Sequence, residues 1–185
     1  MAPITQTFAD GFRSVEIANE FIKRANASGQ SLTNMQLQKL VYFAHGWSLA
    51  ISGKRLTAED PQAWDNGPVY RDLWEHLRDK GKSGIKSPLG PDDTNPFVAL
   101  IKDFKPSPPY QAELNQEQID LLDTVWARYG DYGAFKMSDM THQDGTPWDK
   151  TYYGLGRNAP ITADLIEEHY LKLGATSRER QTAAQ

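Results

Sequence analysis

From Leu32 to Gly53 the chain is apolar on every side of a helix. Leu37, Leu40, Val41, Tyr42, Phe43, Ala44, Trp47, Leu49, Ala50 and Ile51 recur without a polar stripe between them, the pattern of a helix enclosed by others rather than laid on a surface. Its start is written in Leu32-Thr33-Asn34-Met35-Gln36-Leu37, a Thr-x-x-Gln capping box bracketed by Leu32 and Leu37 as a hydrophobic staple. Gly53 supplies the residue after the last turn. A central helix over residues 33–52 follows.

The flanking periodicities add further helices. Ser14 can cap one in which Ile17, Phe21, Ile22 and Ala25 form a single stripe. Leu56 to Trp64 contains Pro61 and no helical stripe, so it reads as an extended piece, with a short edge strand ending at Trp64. Pro68 suits the first turn of a helix whose buried face is Val69, Leu73 and Leu77, ending at Gly81. Residues 82–113 are rich in proline and glycine around one apolar island, Phe97 to Phe104, which fits a short strand or a helical turn.

Leu114-Asn115-Gln116-Glu117-Gln118-Ile119 repeats the staple and box, and Ile119, Leu122, Val125, Trp126 and Tyr129 then face inward as far as Gly130. A shorter helix carries Ala134, Met137 and Met140 and ends near Thr141-His142. Ile161-Thr162 starts the last, with Leu165, Tyr170 and Leu173 pointing inward before Gly174 stops it. The expected fold is mainly α: one helical domain over residues 14–174, five or six helices around residues 33–52, with room for a small β element. Residues 1–13 read as a loose N-terminus and 175–185 as a polar, disordered tail.

Composition narrows the chemistry. A length of 185 residues suits one core. A formal charge of −4 argues against electrostatic capture of nucleic acid, and the local basic run Arg78, Lys80, Lys82 and Lys86 is broken by Asp79 and glycines, as in a solvated loop. The absence of cysteine excludes disulfides, thiolate metal sites and thiol catalysis. No apolar run reaches the roughly 18–20 residues of a membrane span, and the first residues lack the pattern of a secretory signal. A cytoplasmic protein without membrane contact is expected.

Enzymatic constellations are sparse. His45, His76, His142 and His169 fall on different elements without paired-ligand spacing, so neither a metal nor another cofactor is expected. No nucleophile elbow occurs. Gly154-Leu155-Gly156-Arg157 could offer backbone donors to an anion but lacks the phosphate-loop lysine spacing and reads as a turn. A hydrolase using His142 and Asp144, with His45 as a further acid–base group, is the enzymatic alternative; no catalytic set is assigned, and the chain is not expected to be an enzyme.

Aromatic residues remain. Five tryptophans and eight tyrosines exceed what the core stripes require, and Trp64, Tyr70, Trp148, Tyr152 and Tyr153 fall at helix ends or turns, where such side chains either plug a core rim or anchor a partner. Asp65-Asn66-Gly67-Pro68 is a rigid turn, because Asn-Gly permits left-handed backbone and proline fixes the next φ. It would present Trp64 and Tyr70 at fixed geometry, at low entropic cost of binding.

Three blocks in order carry a family resemblance: LTNMQLQKLVYFAHGWSLAISGKRL at 32–56, AWDNGPVYRDLWEHLRDKG at 63–81, and IDLLDTVWARYGDYGAFKMSDMTHQDGTPWDKTY at 119–152. With the first helix they cover residues 14–173, and the chain resembles the Panacea domain family of SocA-like antitoxins. The resemblance implies a protein that binds a cognate protein toxin and neutralises it, in SocA-like members by delivery to a Clp-type unfoldase and protease. Its partner-binding candidates are Trp64, Asn66, Gly67, Pro68, Tyr70, His142 and Trp148, expected along one shared rim. The segment Arg178 to Gln185 is the candidate protease tether. Another kind of protein-interaction module is the alternative.

Overall fold

The computed structural model describes residues 11–81 and 83–183. Among them the chain forms seven α-helices, α1 Ser14–Ala27, α2 Asn34–Ser52, α3 Arg71–Leu77, α4 Gln116–Tyr129, α5 Ala134–Thr141, α6 Pro147–Gly154 and α7 Ala163–Ala183, with one hairpin of β1 Gln62–Trp64 and β2 Gly67–Val69. The fold is mainly α. No described helix is long and apolar enough to cross a membrane.

The central helix follows its pattern. Thr33 accepts from Gln36 N and Gln36 Oε1 accepts from Thr33 N at 3.0 Å, while Gly53 closes the helix with φ +65°. Every residue of α2 from Leu37 to Gly46 is buried, and α1, α3, α4, α5, α7 and β2 all pack on it. Gly46 is obligatory at the α7 crossing, because a Cβ there would overlap the ring of Tyr170. Ile51 departs from the expectation: it lies in the last turn of α2 and is 73% exposed.

Other departures have local causes. Arg13, not Ser14, is the N-cap of α1. Residues 11–13 are not loose, since Phe12 N donates to Leu56 O, Ala58 N donates to Phe12 O, and Arg13 forms a 2.9 Å ion pair with Asp72. Residues 1–10, Lys82 and residues 184–185, the end of the expected tail and tether, lie outside the described residues. Pro68 belongs to β2 and α3 begins only at Arg71, because the position of Pro68 in the hairpin needs no N–H. The apolar island makes a single turn of 3₁₀-helix at Val98–Leu100, with Phe97 and Leu100 exposed.

Helix α6 was not anticipated. Its signal was local rather than periodic: Thr146 accepts from Asp149 N as the cap and Pro147 stands at the first helical position. Helix α7 runs through Gly174 to Ala183, where the tail was expected to be disordered. One interior glycine costs only about 1 kcal/mol, and the following arginines, glutamate and alanines are good helix formers. Leu173, expected inside, is 41% exposed.

Candidate functional site

The hairpin carries the residues singled out in the sequence, and its backbone is held almost residue by residue. Register pairs Gln62 with Val69, Ala63 with Pro68 and Trp64 with Gly67, leaving Asp65-Asn66 as the loop. Gly67 adopts φ +99°, which lets a left-handed glycine close the loop. It also lets two neighbours approach: a Cβ at Gly67 would stand 2.6 Å from Thr141 Oγ1 and 2.8 Å from Lys39 Nζ.

Four hairpin carbonyls, and that of Tyr70 just after β2, meet side-chain groups from other elements. Trp148 Nε1 donates to Trp64 O at 2.8 Å, Ser138 Oγ to Asn66 O at 3.0 Å, Lys39 Nζ to Pro68 O at 3.0 Å and Gln38 Nε2 to Tyr70 O at 3.3 Å. His142 Nε2 lies 3.1 Å from Asp65 O, and its Nδ1 lies 2.6 Å from Ser138 O. Gln38 Oε1 also accepts from Tyr70 N at 2.8 Å, so this one amide does for Tyr70 what a neighbouring strand would do. The Asp65 carboxylate takes the Tyr152 hydroxyl at 2.8 Å and pairs with Arg157.

The sequence candidates thus converge, though not as a uniform exposed rim. Trp64 and His142 are partly exposed and Asn66 is exposed, whereas Gly67 and Pro68 are buried. Tyr70 is fully buried and Trp148 nearly so; both act from inside, Trp148 stacking on Tyr152 with ring centroids 4.7 Å apart and lying 3.9 Å from His142. Tyr70 and Trp148, expected with the others along one rim, thus lie buried behind it. Their backbone and ring polar atoms find partners only in the interior.

Hydrogen bonding to Tyr152, supported by Arg157, holds the Asp65 carboxyl below its ordinary range, and the same bond raises the Tyr152 hydroxyl. The enzymatic alternative gains no geometry. Both ring nitrogens of His142 face backbone carbonyls, and Asp144 lies exposed in the following turn. His45 is fully buried, accepts from Leu56 N and Thr57 N, and is pushed down to about 3 by burial and then by Arg55. Among the described residues no three His, Asp or Glu side chains converge as metal ligands.

Beside the hairpin opens a cleft of about 670 Å³. One wall is the first turn of α2, Thr33 to Met35; another is Trp64, Asp65 and Asn66; Trp74 and the start of α5, Ala134-Phe135, complete it. Trp64 and Trp74 pack with centroids 5.2 Å apart, and Phe135 stands 81% exposed. Lys39 lines the same cleft yet is only 1% exposed. Burial pushes its ammonium down to about 7, with no charged neighbour offsetting it.

The sequence does not single out Lys39, Gln38, Ser138 or Trp74, and Arg157 is read there only as part of a turn. For Gln38 and Lys39 a signal existed: a helix enclosed on all sides cannot point two consecutive polar residues at water, so they must be buried and partnered.

The stretch that holds this central helix, the hairpin and the residues that clamp it is also the stretch that matches a known family. Residues 37–149 match the model of the antitoxin SocA-like, Panacea domain family, and the chain belongs to it. Antitoxin SocA of Caulobacter vibrioides is similar, 28% identical over 168 residues that cover 91% of this chain and 85% of that protein. No solved structure matches.

Proposed function

We propose that the chain is an antitoxin that binds a cognate protein toxin and neutralises it by direct contact, through the face formed by the hairpin and the adjoining cleft. The observation that carries this reading is the fixation of the hairpin: side chains of α2, α5 and α6 and the ring of His142 meet its carbonyls. Such a surface is ordered before a partner arrives, and the ordering cost of binding is correspondingly small. Membership of an antitoxin family supplies the partner class.

A second reading, delivery of the toxin to a Clp-type protease, is favoured by one feature. Beyond Gly174, helix α7 projects Thr176, Arg178, Glu179 and Arg180 as exposed residues, a surface separate from the cleft that a protease subunit could engage.

One reconstitution tests both. The protein encoded beside this chain is purified as the toxin and mixed with the full chain or with a chain truncated after Gly174, with and without Clp unfoldase and peptidase. Direct neutralisation predicts an intact, inactive toxin in an equimolar complex with either chain, protection following antitoxin concentration by mass action. Toxin degraded at sub-stoichiometric antitoxin, by the full chain alone, would establish delivery instead. An active toxin under all conditions would remove the antitoxin reading.

A further inference from the structure

We propose that the cleft beside the hairpin is a docking site for an extended peptide segment of the partner, one that directs a carboxylate toward Lys39 and lays an adjacent aliphatic or aromatic side chain against Trp64 and Trp74. The bearer of that segment rests on the antitoxin reading; the chemistry of the site does not.

Lys39 is the central observation. It donates to Pro68 O, a task that an uncharged side chain performs two residues along, where Gln38 holds Tyr70 O. A lysine there instead buries an ammonium with no carboxylate nearby, which is costly unless a counter-charge is brought to it. Beside an ammonium buried to this degree an arriving carboxylate interacts more strongly than at the surface.

The surroundings favour the same ligand. The first turn of α2 lines the cleft and turns the positive end of a nineteen-residue helix toward it. The amide oxygen of Asn34, on that wall, is buried without a donor; as an acceptor it does nothing for the carboxylate but is placed to take a backbone N–H of the extended segment. Asp65, the one acidic residue of the lining, is already taken by Tyr152 and Arg157 and so offers little repulsion. With Lys39 protonated the lining carries a net positive charge on a chain whose formal charge is −4.

The lining also has an apolar part, Met35, Val69 and the Trp64–Trp74 pair, with the exposed ring of Phe135 beside them. A volume of about 670 Å³ accommodates a few side chains rather than a globular surface. Aromatic pockets around one buried charge are the arrangement from which interface hot spots are made.

The test uses a phage-displayed library of linear dodecapeptides panned against the full chain, followed by fluorescence anisotropy with the best synthetic peptide. Enrichment of Asp or Glu next to a large apolar residue is expected. Lys39→Met, which keeps the length of the side chain and removes the buried charge, should weaken that peptide about thirtyfold without lowering the melting temperature. Phe135→Ala, a change at an exposed residue, should weaken it about fivefold. Absence of enrichment, enrichment without an acidic residue, or affinity unchanged in Lys39→Met would overturn the site.

Toxin neutralisation by the same variants separates this inference from the antitoxin reading. Neutralisation that survives both substitutions removes the cleft and leaves the antitoxin. Acidic peptides bound through Lys39 by a chain that neutralises nothing leave the cleft and remove the antitoxin.

Discussion

Lys39 makes the stability of the free chain depend on pH in a window where few residues titrate. Its folded value is near 7 against an ordinary 10.5, so between those values the unfolded chain holds a proton that the folded chain has released. Stability therefore rises with pH across that interval, by up to about 1.4 kcal/mol per unit, and the contribution is lost as pH falls toward 7. His45, pushed down to about 3 from 6.5, adds the same sign of dependence in the acid range. Denaturant midpoints of the wild type and Lys39→Met, measured at about pH 7 and about pH 10, should converge at the higher value and diverge in favour of the variant at the lower. A wild-type midpoint that stays flat between them would show that the ammonium is solvated in the folded chain.

Among the elements, α2 should be the last to open, since its buried run from Leu37 to Gly46 touches five other helices and the hairpin. Native-state hydrogen exchange is expected to place its amides at the global unfolding free energy and those of α4 below it; α4 outlasting α2 would contradict the packing. Leu40→Asp should unfold the chain, because an unpaired buried charge costs several kcal/mol against a total of about 5–15. Elements with dense apolar periodicity or a capping box, α1, α2 and α4, were legible in the sequence to within a residue or two. Helix α6 was not, because its stripe is short and its evidence lies in Thr146 and Pro147 alone. The hairpin is half legible: Pro61 and the missing helical stripe mark an extended piece ending at Trp64, but Pro68 suits a helix start as well as a strand, which hides β2. The candidate site was legible where aromatic and turn residues mark it, and hidden where α2 contributes Gln38 and Lys39, whose role depends on which strand lies above them.

At the scale of the whole molecule, α7 crosses α2 at Gly46 beneath Tyr170, and the ring of Tyr170 also packs edge-on against Trp47 at 5.1 Å and Tyr42 at 6.1 Å. Gly46→Val should displace α7 as a unit, lowering the melting temperature by the equivalent of about 1–3 kcal/mol while the helical signal in circular dichroism is largely kept. An unchanged melting temperature would mean that α7 is not seated there. The hairpin bears on the rest of the molecule in another way. Within its register the groups that point outward belong to Ala63 and Pro68. Ala63 N donates to Ala159 O and Ala63 O accepts from Asn158 N, while Pro68 has no N–H and its carbonyl is taken by Lys39. Neither side of the ribbon can therefore template another chain. A toxin cannot be recruited here by β-augmentation, nor can two copies of this protein zip together through it. If the hairpin face is the one that binds, as proposed, recognition there falls to side chains, which read a partner's sequence where a free strand edge would accept almost any extended chain.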